Sequence, residues 1–151
     1  MKSIKLLLLT TLFAFPLSFS PYALSNTVQE VNDRLDMLYG SHSNYHDFFE
    51  TLKQSVTQRN KEQVAEMVSY PLKVNIKGKK VVVKNNLDFI KNYSDIVTPN
   101  IAKAITTQKY TDLFSRDTGI MIGQHGEVWF SGICNDSTCK NLIIKVIAIN
   151  N

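Results

Sequence analysis

The chain has 151 residues, 44% of them hydrophobic, with 17 basic and 13 acidic side chains and a net charge of +4. One ordinary domain with a single core accounts for that length. The pI near 9.0 is no nucleic-acid footprint. No glycine-rich phosphate loop and no aromatic-interleaved basic stripe occurs, which excludes nucleotide and nucleic acid as expected partners.

Residues 1–25 read as a cleaved secretory signal. Lys2 and Lys5 give a positive start, an apolar run spans Leu6 to Phe19, and Ala23-Leu24-Ser25 is a small-x-small cleavage site before Asn26. The competing membrane anchor needs ~20 apolar residues, more than this run offers. No cysteine lies near the site for lipid attachment. Removing 25 residues from 151 leaves a mature chain of 126, and 15 basic against 13 acidic residues give a net charge of about +2. The expected location is the periplasm, with release to the exterior as the variant, and no membrane span after cleavage.

Helix signals come first in the mature chain. Thr27-x-x-Glu30 is a capping box, and Val28, Val31, Leu35 and Leu38 follow at helical spacing, which predicts a helix over about 27–39. Gly40 and Ser41 end it. A second helix is expected from near Asn44, with Tyr45, Phe48, Phe49, Leu52 and Val56 on one stripe. Asn60-x-x-Gln63 caps a short third helix, which Tyr70-Pro71 stops. The period then switches to two. Leu72, Val74 and Ile76 alternate with polar residues, Gly78-Lys79 turns the chain, and Lys80–Lys84 returns as the second strand of a hairpin. Asn85 caps a helix carrying Leu87, Phe89, Ile90 and Tyr93. Thr98-Pro99 starts another, with Ile101, Ala104 and Ile105 on its apolar side. Tyr110, Leu113 and Phe114 read as one more turn.

The last third reads as a three-stranded meander: Gly119–Ile122, Glu127–Ile133 and Leu142–Ile149. In the last strand Leu142, Ile144, Val146 and Ala148 share one face, and Ile143, Lys145, Ile147 and Ile149 the other. Both faces are mainly apolar, so the strand is expected to be central, or to meet a partner on one face. Cys134 and Cys139 flank the turn formers Asn135-Asp136-Ser137-Thr138, and in an oxidising compartment a disulfide there staples the loop. Four intervening residues do not suit a redox pair, and no further metal ligands lie nearby. Helices, hairpin, helices and antiparallel strands argue an α+β fold in one domain, 26–151.

Phe48-Phe49, the Asn60–Met67 stretch running into Ser69-Tyr70-Pro71-Leu72, and Phe89-Ile90-Lys91-Asn92-Tyr93 follow one another in a distinctive order. Ile96 with Thr98-Pro99, Leu113-Phe114, Gly119–Gly123, Glu127–Phe130 and Ile147–Asn150 continue it. In that order and spacing the chain resembles the NTF2-like (cystatin-like cone) superfamily, and within it a group of small exported bacterial proteins. The resemblance runs from about Tyr45 to Asn150. The first helix and the Cys134–Cys139 loop lie outside it. It implies a curved antiparallel sheet that wraps helices around a cone-shaped cavity. Enzymes of the superfamily place an acid, a base or a tyrosine inside that cavity, but the fold also hosts non-catalytic binding modules.

Four residues are therefore cavity candidates for ligand binding: Tyr93, Asp95, Glu127 and Trp129. Tyr93 and Asp95 follow a helix and are placed for the cavity mouth. Glu127 with His125 is the close acid–imidazole pair of the meander, and burial beside Trp129 raises a carboxyl pKa. Against this, Glu127 and His125 flank a glycine turn, and no nucleophile or oxyanion site accompanies them. No residue is assigned a catalytic role. His42 and His46 have helix-face metal spacing but lack a third ligand, so no metal and no cofactor is expected. Asp117-Thr118-Gly119 spells an aspartic-protease tripeptide but reads as a turn before a strand, since such a site needs two aspartates sharing a proton. Lys73, Lys77, Lys79, Lys80 and Lys84 gather at the hairpin and read as a solubilised sheet edge rather than a docking patch.

The function expected from these residues is an exported, non-catalytic module that binds a small ligand or an envelope protein. The alternatives are an immunity protein neutralising an envelope-acting toxin and a small isomerase or hydro-lyase using the cone. Dimerisation through the sheet is expected from the apolar faces of the last strand.

Overall fold

A computed structural model describes residues 26–139 and 141–151, so the expected signal at 1–25 lies outside the described residues. The first helix, α1 (Val28–Tyr39), starts where the capping box closes. The Glu30 N–H donates to Thr27 Oγ1 at 3.2 Å, and the Thr27 N–H donates to Glu30 Oε2 at 2.7 Å. Gly40 ends it in the left-handed conformation, at φ 79°. Val31 and Leu35 are fully buried, while Val28 and Leu38 of the same sequence stripe are exposed. The helix thus rests on the core along a narrower line than its spacing implies.

The second helix, α2 (His42–Thr57), begins two residues before Asn44. Ser41 makes no side-chain cap bond. Asp36 of α1 supplies the missing acceptor, taking the His42 N–H at 2.6 Å. Tyr45, Phe49, Leu52 and Val56 are buried, and half-buried Phe48 stacks on Phe130 with ring centroids 5.3 Å apart. Asn60 caps α3 (Lys61–Glu66) by accepting from the Gln63 N–H at 3.0 Å.

Strands β1 (Leu72–Ile76) and β2 (Lys79–Val83) pair antiparallel. Their turn is Lys77-Gly78, one residue earlier than the sequence spacing predicts. Both turn residues have positive φ, 53° and 77°, as a two-residue hairpin turn that follows the strand twist requires. After the hairpin come α4 (Asn86–Lys91), α5 (Tyr93–Ile96) and α6 (Pro99–Thr107), the first and last capped by Asn85 and Thr98 as expected.

The final sheet has four strands, not three: β3 (Phe114–Arg116), β4 (Gly119–Ile122), β5 (Val128–Cys134) and β6 (Leu142–Ile149), antiparallel in that order. The short strand β3 escapes a hydropathy reading because its alternation is inverted. Phe114 faces outward and Ser115 inward. Ser115 is tolerated there because Arg34 donates to its Oγ at 2.8 Å. The expected Asp117-Thr118 turn joins β3 to β4.

The last strand, β6, ends the sheet order rather than lying at its centre, and Leu142 and Ile143 are exposed, which corrects the expectation of a central strand. One edge pairs with β5. The other meets the chain before the hairpin: the Ser69 N–H donates to the Val146 carbonyl and the Val146 N–H to the Met67 carbonyl, both at 2.8 Å. A bulge shifts its faces. Trp129 lies opposite Ala148 and Phe130 opposite Val146, which leaves Ile147 as the extra residue. Val146 and Ile149 are consequently both buried, although strict alternation assigns them to opposite faces. The fold is α+β, helices preceding most of the sheet. Its core joins Ile120, Ile122, Val128, Phe130, Val146 and Ile149 of the sheet to Val31, Leu35, Phe49, Phe89, Ile96 and Ile101 of the helices. The Cys134–Cys139 disulfide closes the β5–β6 loop with a Cα–Cα distance of 4.7 Å.

Candidate functional site

Packing one face of β3–β6 against the helices determines what the other face presents. Phe114 lies opposite Met121, Met121 opposite Trp129, and Trp129 opposite Ala148. These four form one row across the sheet, and none of them is buried; Phe114 is 50% exposed. Its ring meets Trp129 edge to face, with centroids 6.4 Å apart. Arg116 lays its guanidinium 5.1 Å from the Trp129 ring centroid and is held there by a 2.9 Å bond from its Nε to Thr118 Oγ1. In the bordering row Gly119 lets the strands approach. A Cβ there would sit 2.9 Å from the Phe130 carbonyl. Exposed Ile143 stands opposite Ile133 on β5.

Glu127 sits at the end of this face, before β5. Its Oε2 accepts the His125 N–H at 2.9 Å, and its Oε1 lies 3.4 Å from the His125 imidazole Nδ1. Its side chain is 23% exposed. Burial pushes the carboxyl pKa up, but the His125 N–H, its own backbone N–H and the His125 ring together hold it below the ordinary 4.5. A carboxylate in that state is ionised at neutral pH and holds no proton to donate. Gly123 shapes the seat, since a Cβ at that residue would fall 2.1 Å from Glu127 Oε2. His125, Glu127, Lys103, Lys109 and Asp112 line a polar cleft of about 710 Å³ between α6 and the β4–β5 turn.

The other two candidates lie elsewhere, on α5. Tyr93 packs edge-on against Phe89, with centroids 6.0 Å apart. Its hydroxyl is buried with no hydrogen-bond partner among the described residues, and burial raises its pKa, opposed by the Arg59 charge. Asp95 is two residues on, and its side chain pairs with Lys77 at 3.4 Å. Its carbonyl accepts from Asn151 Nδ2 at 2.8 Å, which ties α5 to the chain end. Glu127 and Trp129 thus share the outer face of the sheet, whereas Tyr93 and Asp95 belong to the hairpin corner. His42 and His46 also diverge: one ring meets Asp36 at 2.8 Å, the other packs edge-on against Tyr110 with centroids 4.4 Å apart.

Half-buried Trp129 is the candidate that the tertiary structure places beside the exposed side chains of Phe114 and Arg116. Phe114, Arg116 and Met121 were not among the site candidates that the sequence suggested. Their signal was present as a period of two in Phe114-x-Arg116, masked by the inward serine. No protein family, curated protein or solved structure matches this chain.

Proposed function

We propose that this protein is an exported, non-catalytic interaction module of NTF2-like architecture that binds an envelope protein through the outer face of β3–β6. One observation carries the reading: the row Phe114–Met121–Trp129–Ala148, exposed at Phe114 and half-buried at the other three, with Arg116 laid on the tryptophan. Aromatic residues, methionine and arginine are the side chains enriched at protein interfaces, and Trp and Arg dominate their binding energy. The lowered carboxyl pKa of Glu127 speaks against a general acid at that residue, and the Tyr93 ring packs against Phe89. The order of helices, hairpin, helices and antiparallel strands supports the NTF2-like architecture. The disulfide supports export, because such bonds persist in oxidising compartments.

The test is site-specific photocrosslinking in cells. A benzophenone side chain at residue 114 is expected to give a discrete protein adduct that weakens at least tenfold with Trp129→Ala, roughly the effect of losing a binding hot spot. The same group at Leu87, exposed on α4, is expected to give none. Silence from residue 114 sinks the reading. So does turnover by the purified protein that disappears in Glu127→Ala or Tyr93→Phe. A second copy of the chain is the other occupant of this face, and an adduct of twice the chain mass identifies it.

A further inference from the structure

Two cations stand on the outer face of β3–β6 without a counter-ion. Beside the row through Trp129 runs a second row, in which Arg116 lies opposite Gly119 and Ser131 opposite Lys145. Gly119 joins the two pairs, since a Cβ there would sit 3.4 Å from Ser131 Cβ. Lys145 is half-buried, and its Nζ donates to the Glu66 carbonyl. Arg116 is exposed. Its Nε–H goes to Thr118 Oγ1 at 2.9 Å, and its Nη groups have no hydrogen-bond partner among the described residues. The ion pairs among the described residues join Asp36 to His42, Asp95 to Lys77 and Glu127 to His125, so neither Arg116 nor Lys145 has a carboxylate partner.

An arginine that only keeps a surface soluble needs no fixed orientation. Arg116 is held down, 5.1 Å from the Trp129 ring centroid, with exposed Phe114 edge-on to the same ring. The ring and the Thr118 bond fix the guanidinium plane and leave both Nη groups free to donate. That fork matches the two oxygens of a carboxylate, and its fixed orientation lowers the entropy lost on binding. We infer that the protein partner of this face presents an aspartate or glutamate side chain to Arg116, next to an apolar residue that lies on Phe114 and Trp129. The inference rests on the protein-binding reading of the same face. Charge complementarity selects the acid, because a basic partner would set like charges against Arg116 and Lys145 as water is excluded. The two rings select an apolar neighbour for that acid over a run of acids.

The experiment selects phage-displayed random peptides on the purified protein and measures the synthesised peptides by fluorescence polarisation. The enriched peptides are expected to carry an aspartate or glutamate beside an aromatic or aliphatic residue, and to suppress the benzophenone adduct at residue 114. Arg116→Gln should weaken their binding roughly tenfold, the effect of losing one charge-assisted contact. Arg116→Lys should restore only part of it, because an ammonium cannot form the fork. Arg116→Glu should turn the selection toward lysine and arginine. Trp129→Ala should enrich nothing. Circular dichroism of each variant establishes that it is folded. The inference is overturned if no peptide is enriched, if the enriched peptides lack acids, or if folded Arg116→Gln binds them as well as wild type. It is also overturned if phosphatidylglycerol vesicles bind through Trp129 and peptides do not, or if the residue 114 adduct is a second copy of the chain. Peptides without acids that still need Trp129, or an adduct to another protein that is indifferent to Arg116→Gln, leave the protein-binding reading standing. Silence from residue 114 removes both.

Discussion

At the scale of single residues, the arginine that enables β3 shows how one long-range bond redirects a strand. Arg34 on α1 donates from Nε to Ser115 Oγ at 2.8 Å and from Nη2 to the Leu113 carbonyl at 2.9 Å. Without it, Ser115 would face the core with its hydroxyl unpaired. Arg34→Met keeps much of the aliphatic stem and removes both donors. It is expected to lower stability by about 1–3 kcal/mol, measured as the midpoint of urea unfolding. A shift under about 0.5 kcal/mol, the scatter of ordinary surface changes, would show that water satisfies both acceptors. A contact of this kind, 81 residues apart in sequence, leaves no local trace. Glu127 is a similar case. Its closeness to His125 is visible in sequence, but the lowered pKa depends on a loop that bends the His125 N–H back onto the carboxylate.

At the scale of elements, local chemistry marked where most helices begin. Thr27, Asn60, Asn85 and Thr98 each accept the backbone bond that their position predicts. The starts of α2 and α5 have no such cap; at α2 the acceptor comes from Asp36 on another helix. Periodicity marked faces less well than it marked elements. Leu35 and Leu38 are three apart on one stripe, yet Leu35 is 0% exposed and Leu38 37%. Leu35→Ala should therefore cost about 2–5 kcal/mol and Leu38→Ala less than about 1 kcal/mol, read from thermal or urea melts. Equal losses would mean that α1 packs through a wider face than the structure shows. Strand β6 carries the same lesson, since its bulge at Ile147 buries two residues that alternation separates.

At the scale of the whole molecule, three carboxylates tie stability to pH in one direction. Glu30 is held low by the Thr27 N–H and hydroxyl, Asp36 by the His42 ring and N–H, and Glu127 by the groups of its loop against the opposing effect of burial. Each has a folded pKa below its unfolded value. The stability each adds is therefore complete above the unfolded value and is lost as pH falls through the folded one. The melting temperature should stay level from neutral pH down to about pH 5 and fall below it, and Glu127→Gln should flatten that fall. A melting temperature that rises as pH falls below about 5 would contradict all three assignments.

Sequence alone determined the α+β class, the capped helix starts, the hairpin, the disulfide and the candidates worth locating, because capping, turn chemistry and hydrophobic period act within a few residues of backbone. Tertiary structure decided which face of each element is buried. It also placed Ser115 inward and Phe114 outward, separated Tyr93 and Asp95 from Glu127 and Trp129, and brought β1 beside the end of β6. Those outcomes depend on side chains dozens of residues away, and on one inserted residue in a strand, where every local rule is satisfied by either face.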